Sequence, residues 1–164
     1  MIWSVSHRAS KAAVAIADRH YNRQKPGTPQ FVPPGRCVVL QAPDAVWVTS
    51  WPFAEYVKHA WAGAWVNSCF RKECEGVASK YIRDAVAATR SVWPNVPEIG
   101  MITFVDPRKT PGVIRRGSRV HGYCYSQAGF THVGFTKGGL WAWQLLPCDM
   151  PTAAPANGLQ LMCF

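Results

Sequence analysis

Between Trp65 and Phe130 the chain sets out residue types whose spacing suits group transfer from an activated, anionic donor. Gly76 and Ala78 stand between an apolar stretch and a helical one, and a turn of that kind offers free backbone N–H groups to a pyrophosphate, as helix N-termini do. After the next apolar segment comes Tyr125-Ser126-Gln127-Ala128-Gly129-Phe130, which puts a phenol where a leaving thiolate would need a proton. With a pKa of about 10, a phenol can act as an acid toward a thiolate of similar basicity. Tyr123 is the neighbouring candidate if the helix register differs. Together these features read as a site for an acyl thioester.

Other groups have two readings each. Asp106 follows an apolar run and can orient or deprotonate an amine, or cap the turn before Pro107. His20 and Tyr21 end a helical stretch and open a proline-rich loop; they face a substrate, or His20 caps the helix and meets its dipole. Arg71 contacts phosphate or pairs with Glu73 or Glu75.

The elements that must position these groups follow from periodicity. Ile2 to Ser6 reads as a short strand, and Ser10 as the N-cap of a helix from Lys11 to Tyr21 with Ala12, Ala13, Ile16, Ala17 and His20 on one face. Four prolines and two glycines break regular structure from Asn22 to Gly35. Cys37–Leu40 and Ala45–Ser50 form a hairpin about a Pro-Asp turn, and Ala62–Phe70 a further strand. Gly76–Trp93 is helical and ends before Pro94; Ile99–Val105, apolar on both faces, is a central strand. Asp106–Gly117 reads as a basic loop and Arg119–Ala128 as a short helix. Val133–Thr136 and Leu140–Leu145 make a closing hairpin around Lys137-Gly138-Gly139, and the tail after Pro147 has no assignment. The fold class is α/β (α+β), in one domain.

The chain has 164 residues, 48% of them hydrophobic, enough for one domain with a proper core. Eighteen Lys and Arg against nine Asp and Glu give a formal charge of +9, which favours a polyanionic partner such as nucleic acid or a phosphate-bearing cofactor. Cysteines at 37, 69, 74, 124, 148 and 163 form no CxxC pair, so reduced thiols are expected rather than a disulfide framework or a zinc site. Met1 to Arg8 lacks the apolar core of a signal peptide, and no apolar run approaches the roughly 18 to 20 residues of a membrane span. A cytoplasmic protein without a membrane partner is expected.

The order of hairpin, strand, glycine turn, helix, strand, helix ending in Tyr-x-x-x-Gly-Phe and final hairpin resembles the GNAT superfamily of CoA-dependent N-acyltransferases over nearly the whole chain. The resemblance implies a central mixed, mostly antiparallel sheet flanked by helices. It also implies acetyl-CoA or a related activated acyl donor. The family's pyrophosphate turn, Gln/Arg-x-x-Gly-x-Gly/Ala, matches Glu73-Cys74-Glu75-Gly76-Val77-Ala78, with an acid at the position usually held by Gln or Arg. Donor contacts implied in this way fall on Ser68, Cys69, Phe70, Arg71 and Lys72 at the strand end and on Gly76, Val77, Ala78 and Ser79. Tyr125 would protonate the leaving sulfur.

Asp18-Arg19-His20-Tyr21-Asn22-Arg23 with its proline-rich loop, and Phe70-Arg71-Lys72-Glu73, are similar to a narrower group, the phage Mom-type DNA-modification proteins. That likeness implies transfer of an acyl-derived group to adenine N6, protecting DNA from restriction, and leaves open an iron ion or an unusual donor. The segment Arg108–Arg119 holds Arg108, Lys109, Arg115, Arg116 and Arg119 and no acid, the footprint of a phosphate-backbone contact. Arg19, Arg23, Lys25 and Arg36 are candidates for the opposite wall of a groove, and Trp51 or Phe53 for stacking on an extruded base. Two alternatives stay open: an acetyltransferase acting on a protein, a small amine or an aminomethyl-pyrimidine, and a DNA-binding protein without activity. Oligomeric state, including a homodimer, is open as well.

Overall fold

A computed structural model describes residues 1–158. The strands are β1 (Ser4–Val5), β2 (Arg36–Ala42), β3 (Ala45–Trp51), β4 (Trp65–Lys72), β5 (Met101–Val105), β6 (Val113–Arg115), β7 (Ser118–Val120), β8 (Thr131–Phe135) and β9 (Trp141–Leu145); the helices are α1 (Lys11–Ala17), α2 (Ala78–Val92) and α3 (Tyr123–Gln127). Seven strands make one mixed sheet in the order β1-β2-β3-β4-β5-β9-β8, and β6 pairs with β7 apart from it. Within the seven-stranded sheet β4 and β5 run parallel, and the other neighbours are antiparallel. The architecture is mixed α+β.

Alternation along β2 and β3 feeds two cores. Val39, Val46 and Val48 pack with Ala13, Ile16 and Ala17 of α1. Val38, Leu40, Ala45 and Trp47 join Ile82, Ala85 and Val86 of α2 and Tyr125 of α3. Helices therefore cover both faces, which explains why these strands read as continuous apolar runs. Over β5 and β9, Ile102 and Ala142 lie beneath Trp61 and Phe104. No helix among the described residues is long and apolar enough to cross a membrane.

Two sequence expectations need correction. The first helix stops at Ala17, not Tyr21, because the Asp18 carboxylate accepts from Arg23 Nε at 2.7 Å and from the Gly27 N–H at 3.0 Å, which folds the chain into turns. Ser10 does cap its start, its hydroxyl accepting from the Ala13 N–H at 3.3 Å. The basic segment is not an open loop, and no helix begins at Arg119. Arg116 (φ 49°) and Gly117 (φ 77°) are both left-handed, as a two-residue hairpin turn with the twist of its strands requires. They close β6 onto β7, and α3 waits until Gly122.

Gly122 is required there. It takes φ +85°, and a Cβ would lie 2.7 Å from Trp143 Nε1 and 2.9 Å from Val105 Cγ2. That close approach seats α3 against β5 and β9 and turns Tyr125 toward the middle of the sheet.

Candidate functional site

β4 and β5 pair only from Trp65–Asn67 to Met101–Thr103. Beyond that point β4 carries an extra residue: Asn67 lies opposite Thr49 and Cys69 opposite Val48, leaving Ser68 as a bulge. A bulge bends its strand, and the edge of β4 from Ser68 to Lys72 has no strand beside it. A cleft of about 1090 Å³ opens in this gap, lined among others by His20, Tyr21, Asn22, Ser68, Cys69, Phe70, Lys72, Ala78, Asp106, Lys109, Arg115, Tyr123 and Tyr125.

Asn67 is a buried polar group in the cleft wall. Its amide nitrogen donates to the carbonyls of Val48 (3.1 Å) and Cys69 (3.0 Å), so it spans the bulge. Its Oδ1 accepts from Tyr125 Oη at 2.8 Å and Thr103 Oγ1 at 3.2 Å. Every bond Asn67 can make in this buried setting is thus engaged. Burial drives the Tyr125 phenol well above its ordinary pKa of 10.0, so it keeps its proton at neutral pH. Tyr123 is half-buried, and the Arg115 guanidinium lies over its ring at 4.4 Å.

Asp106 is buried at the end of β5 and accepts from the Arg108 N–H and Nε, both at 2.9 Å, and from Nη2 at 3.0 Å. These bonds hold its carboxyl below the usual range, so it caps the turn as a fixed carboxylate. The Tyr21 hydroxyl accepts from the Asp106 N–H at 3.3 Å, and burial raises its pKa. His20 stacks on Tyr21 at 4.6 Å and meets Asn22 Oδ1 at 2.5 Å. Desolvation lowers the His20 pKa below 6.5 despite its contacts with Asn22 and the Phe70 carbonyl, leaving a neutral imidazole at pH 7. Asn22 Nδ2 donates to the Ser68 carbonyl at 3.0 Å, so the start of the proline loop lies along the free edge of β4.

At the glycine turn, Glu73 is held by Arg19 (2.5 and 2.7 Å) and by Arg71 (2.6 Å). The Glu73 carboxylate is therefore neutralised locally, and Arg71 takes the pairing role. Lys72 Nζ folds back onto the Cys74 carbonyl and lies over the Tyr81 ring. Gly76 takes φ +106°, Val77 is exposed, and no side chain caps the α2 N-terminus, where Ala78 and Ser79 follow half-buried.

The cations divide. Arg19 is tied to Glu73, while Arg23 holds Asp18 and donates to the Gln30 and Thr28 carbonyls, both at 2.6 Å, so it staples the proline loop. Lys25 is exposed on that loop. Arg36 stacks on Trp51 at 4.2 Å and lies near Phe53, beside the start of β4 and thus at the end of the sheet opposite the cleft. Trp51 and Phe53 are consequently remote from it. Lys109 and Arg115 line the cleft, Arg108 is tied to Asp106, and Arg116 and Arg119 are exposed on the β6–β7 ribbon beside it. Cys37, Cys69, Cys74, Cys124 and Cys148 are free thiols; Cys163 falls outside the described residues. Burial pushes the Cys69 thiol up to about 12, which makes it inert as a nucleophile.

Asn67, Thr103 and Asn22 were missed from sequence. A signal existed for the first two: Thr103 is the one polar residue of Met101–Val105, and Asn67 is the one polar residue in the alternating set Trp65, Asn67 and Cys69. Asn22 carries no such mark. Comparison with protein-family models, curated proteins and solved structures finds no match to this chain.

The Glu73 cluster predicts a pH dependence. Its carboxyl falls from 4.5 to about 2 in the fold, chiefly through hydrogen bonds from Arg19 and Arg71. A depressed folded pKa stabilises fully above 4.5, and that contribution is lost as pH falls through about 2. The melting-temperature advantage of the native protein over Glu73→Gln should hold at neutral pH and close across that window. A pH-independent gap would contradict it.

Proposed function

We propose that this protein is a DNA-modifying acyltransferase of the GNAT type, placing an acyl-derived group on a base amine, adenine N6, as the resemblance to phage Mom-type proteins implies. The observation that carries the reading is the cleft between two parting parallel strands, with tyrosines and a neutral histidine inside and Lys72, Lys109 and Arg115 in its lining. The uncapped start of α2, with Glu73 neutralised, suits the pyrophosphate of a CoA-like donor at Gly76, Val77, Ala78 and Ser79. Along β4 the fit is conditional: an extended donor arm would take the place of Asn22 at the Ser68 carbonyl. When bound, such a donor supplies an activated acyl carbon and a leaving group.

The chain's own groups then have distinct parts. Tyr125 holds a proton at Oη, and turning it from Asn67 toward the cleft makes it available. Neutral His20 can accept the proton of an incoming amine, while the fixed Asp106 carboxylate suits orientation better than proton removal. Adenine N6 is a weak nucleophile because its lone pair is delocalised into the ring, so a positioned base matters more than for an alkyl amine.

A second reading, a DNA-binding protein without transfer activity, draws on the Tyr125 hydroxyl being bonded to Asn67 and on Asn22 covering the β4 edge. Calorimetric titration with acetyl-CoA separates the two, since tight binding sinks the inactive reading. The test of the main proposal is chemical. Plasmid DNA from bacteria producing the protein is digested to nucleosides and compared by mass spectrometry with DNA from cells carrying the empty vector. A new adenosine species is expected, and its added mass names the group; an unchanged profile would overturn the proposal.

A further inference from the structure

The ribbon of β6 and β7 stands outside the main sheet and has two unlike faces. Register places Ile114 opposite Arg119, and Val113 and Arg115 opposite Val120 and Ser118. Since side chains alternate across a strand, Ile114 and Arg119 share one face and the other four share the second. Val113, Arg115 and Val120 line the cleft, so the Ile114–Arg119 face is turned away from it. Ile114 is 52% exposed, and Arg116 is exposed at the tip.

We infer that this ribbon enters the major groove of B-form DNA, with Arg116 and Arg119 on phosphates and Ile114 against base edges. The proposal rests on the reading of DNA as the acceptor. Three observations carry it. A two-stranded β-ribbon matches the width of that groove, whereas the major groove of A-form RNA is too deep and narrow for it. Arg108–Arg119 contains no acid, and the nearest one, Asp106, is neutralised by Arg108, so nothing on the arm repels a phosphate. An apolar side chain exposed beside arginines is suited to contact with thymine methyl groups, and it has no core to join.

The experiment is equilibrium binding of the full chain to a short labelled duplex over a range of salt. Methyl green, a major-groove ligand, should displace the protein, and netropsin, a minor-groove ligand, should not. The double variant Arg116→Asn with Arg119→Gln should lower the slope of log K against log salt by about 1.8, as loss of two phosphate contacts requires. Asparagine tolerates the left-handed backbone at 116, so the turn survives; an unchanged melting temperature checks that it does. An unchanged slope, displacement by netropsin alone, or equal affinity for single-stranded DNA or an RNA duplex would overturn the inference. Groove binding with no new nucleoside would instead overturn the transfer reaction and leave the ribbon's role standing. New nucleosides with a slope untouched by the double variant would do the reverse.

Discussion

Tyr125→Phe should lower the rate of transfer to DNA by about 10²–10⁴-fold, the usual contribution of a positioned general acid, with DNA affinity unchanged. The tyrosine is the one phenol of the cleft that is both buried and bonded to the asparagine spanning the strand bulge, and its proton is retained at neutral pH. A control separates chemistry from scaffolding. Thr103 also donates to Asn67 Oδ1, so Thr103→Val removes a comparable bond without touching the phenol. If both variants lose the same activity, Tyr125 serves only to hold Asn67. If Tyr125→Phe alone is inactive, its hydroxyl takes part in the reaction. An unchanged melting temperature reports that the variant remains folded.

Asn67→Ala should destabilise the fold by about 3–4 kcal/mol, because it strands several buried polar groups at once. The Tyr125 and Thr103 hydroxyls lose this acceptor, and the Val48 and Cys69 carbonyls lose this donor, all in a buried setting. Urea unfolding at constant m-value reads the loss directly. A change below about 1 kcal/mol would mean that water or repacking replaces the side chain, and the bulge would then not depend on it. The same substitution should abolish transfer at temperatures where the protein is still folded, since the bulge holds β4 away from β5.

The sequence reading named Tyr125 but passed over Asn67, to which it is bonded, and the reason is physical. Alternation marks Asn67 only as a polar residue at an inward position; its importance comes from partners on β3, β5 and α3, up to 58 residues away. The same holds for Glu73. Its place in the glycine turn was visible, yet its neutralisation depends on Arg19, 54 residues earlier. Arg19 and Arg23 looked like free cations for phosphate and turn out to bind carboxylates, because charge composition does not reveal pairing. Arg36, Trp51 and Phe53 looked like groove and stacking groups, and strand direction carries them to the far end of the sheet. Of the cations of the Arg108–Arg119 segment, in contrast, Lys109 and Arg115 do line the cleft, although the segment is a ribbon rather than a loop.

What the sequence by itself determined is local. The β2–β3 hairpin, the long helix α2 ending before Pro94, the strand β5 and the closing hairpin follow from side-chain period and turn residues, which act over a few positions. The order of those elements also carried the α+β class, while the mixed sheet was expected only through a resemblance. The tertiary structure alone decided where α1 stops, that the basic segment pairs with itself, which cations remain unpaired and how a bulge at Ser68 opens the cleft. Each of these depends on hydrogen bonds or ion pairs between segments whose proximity exists only after the sheet has assembled.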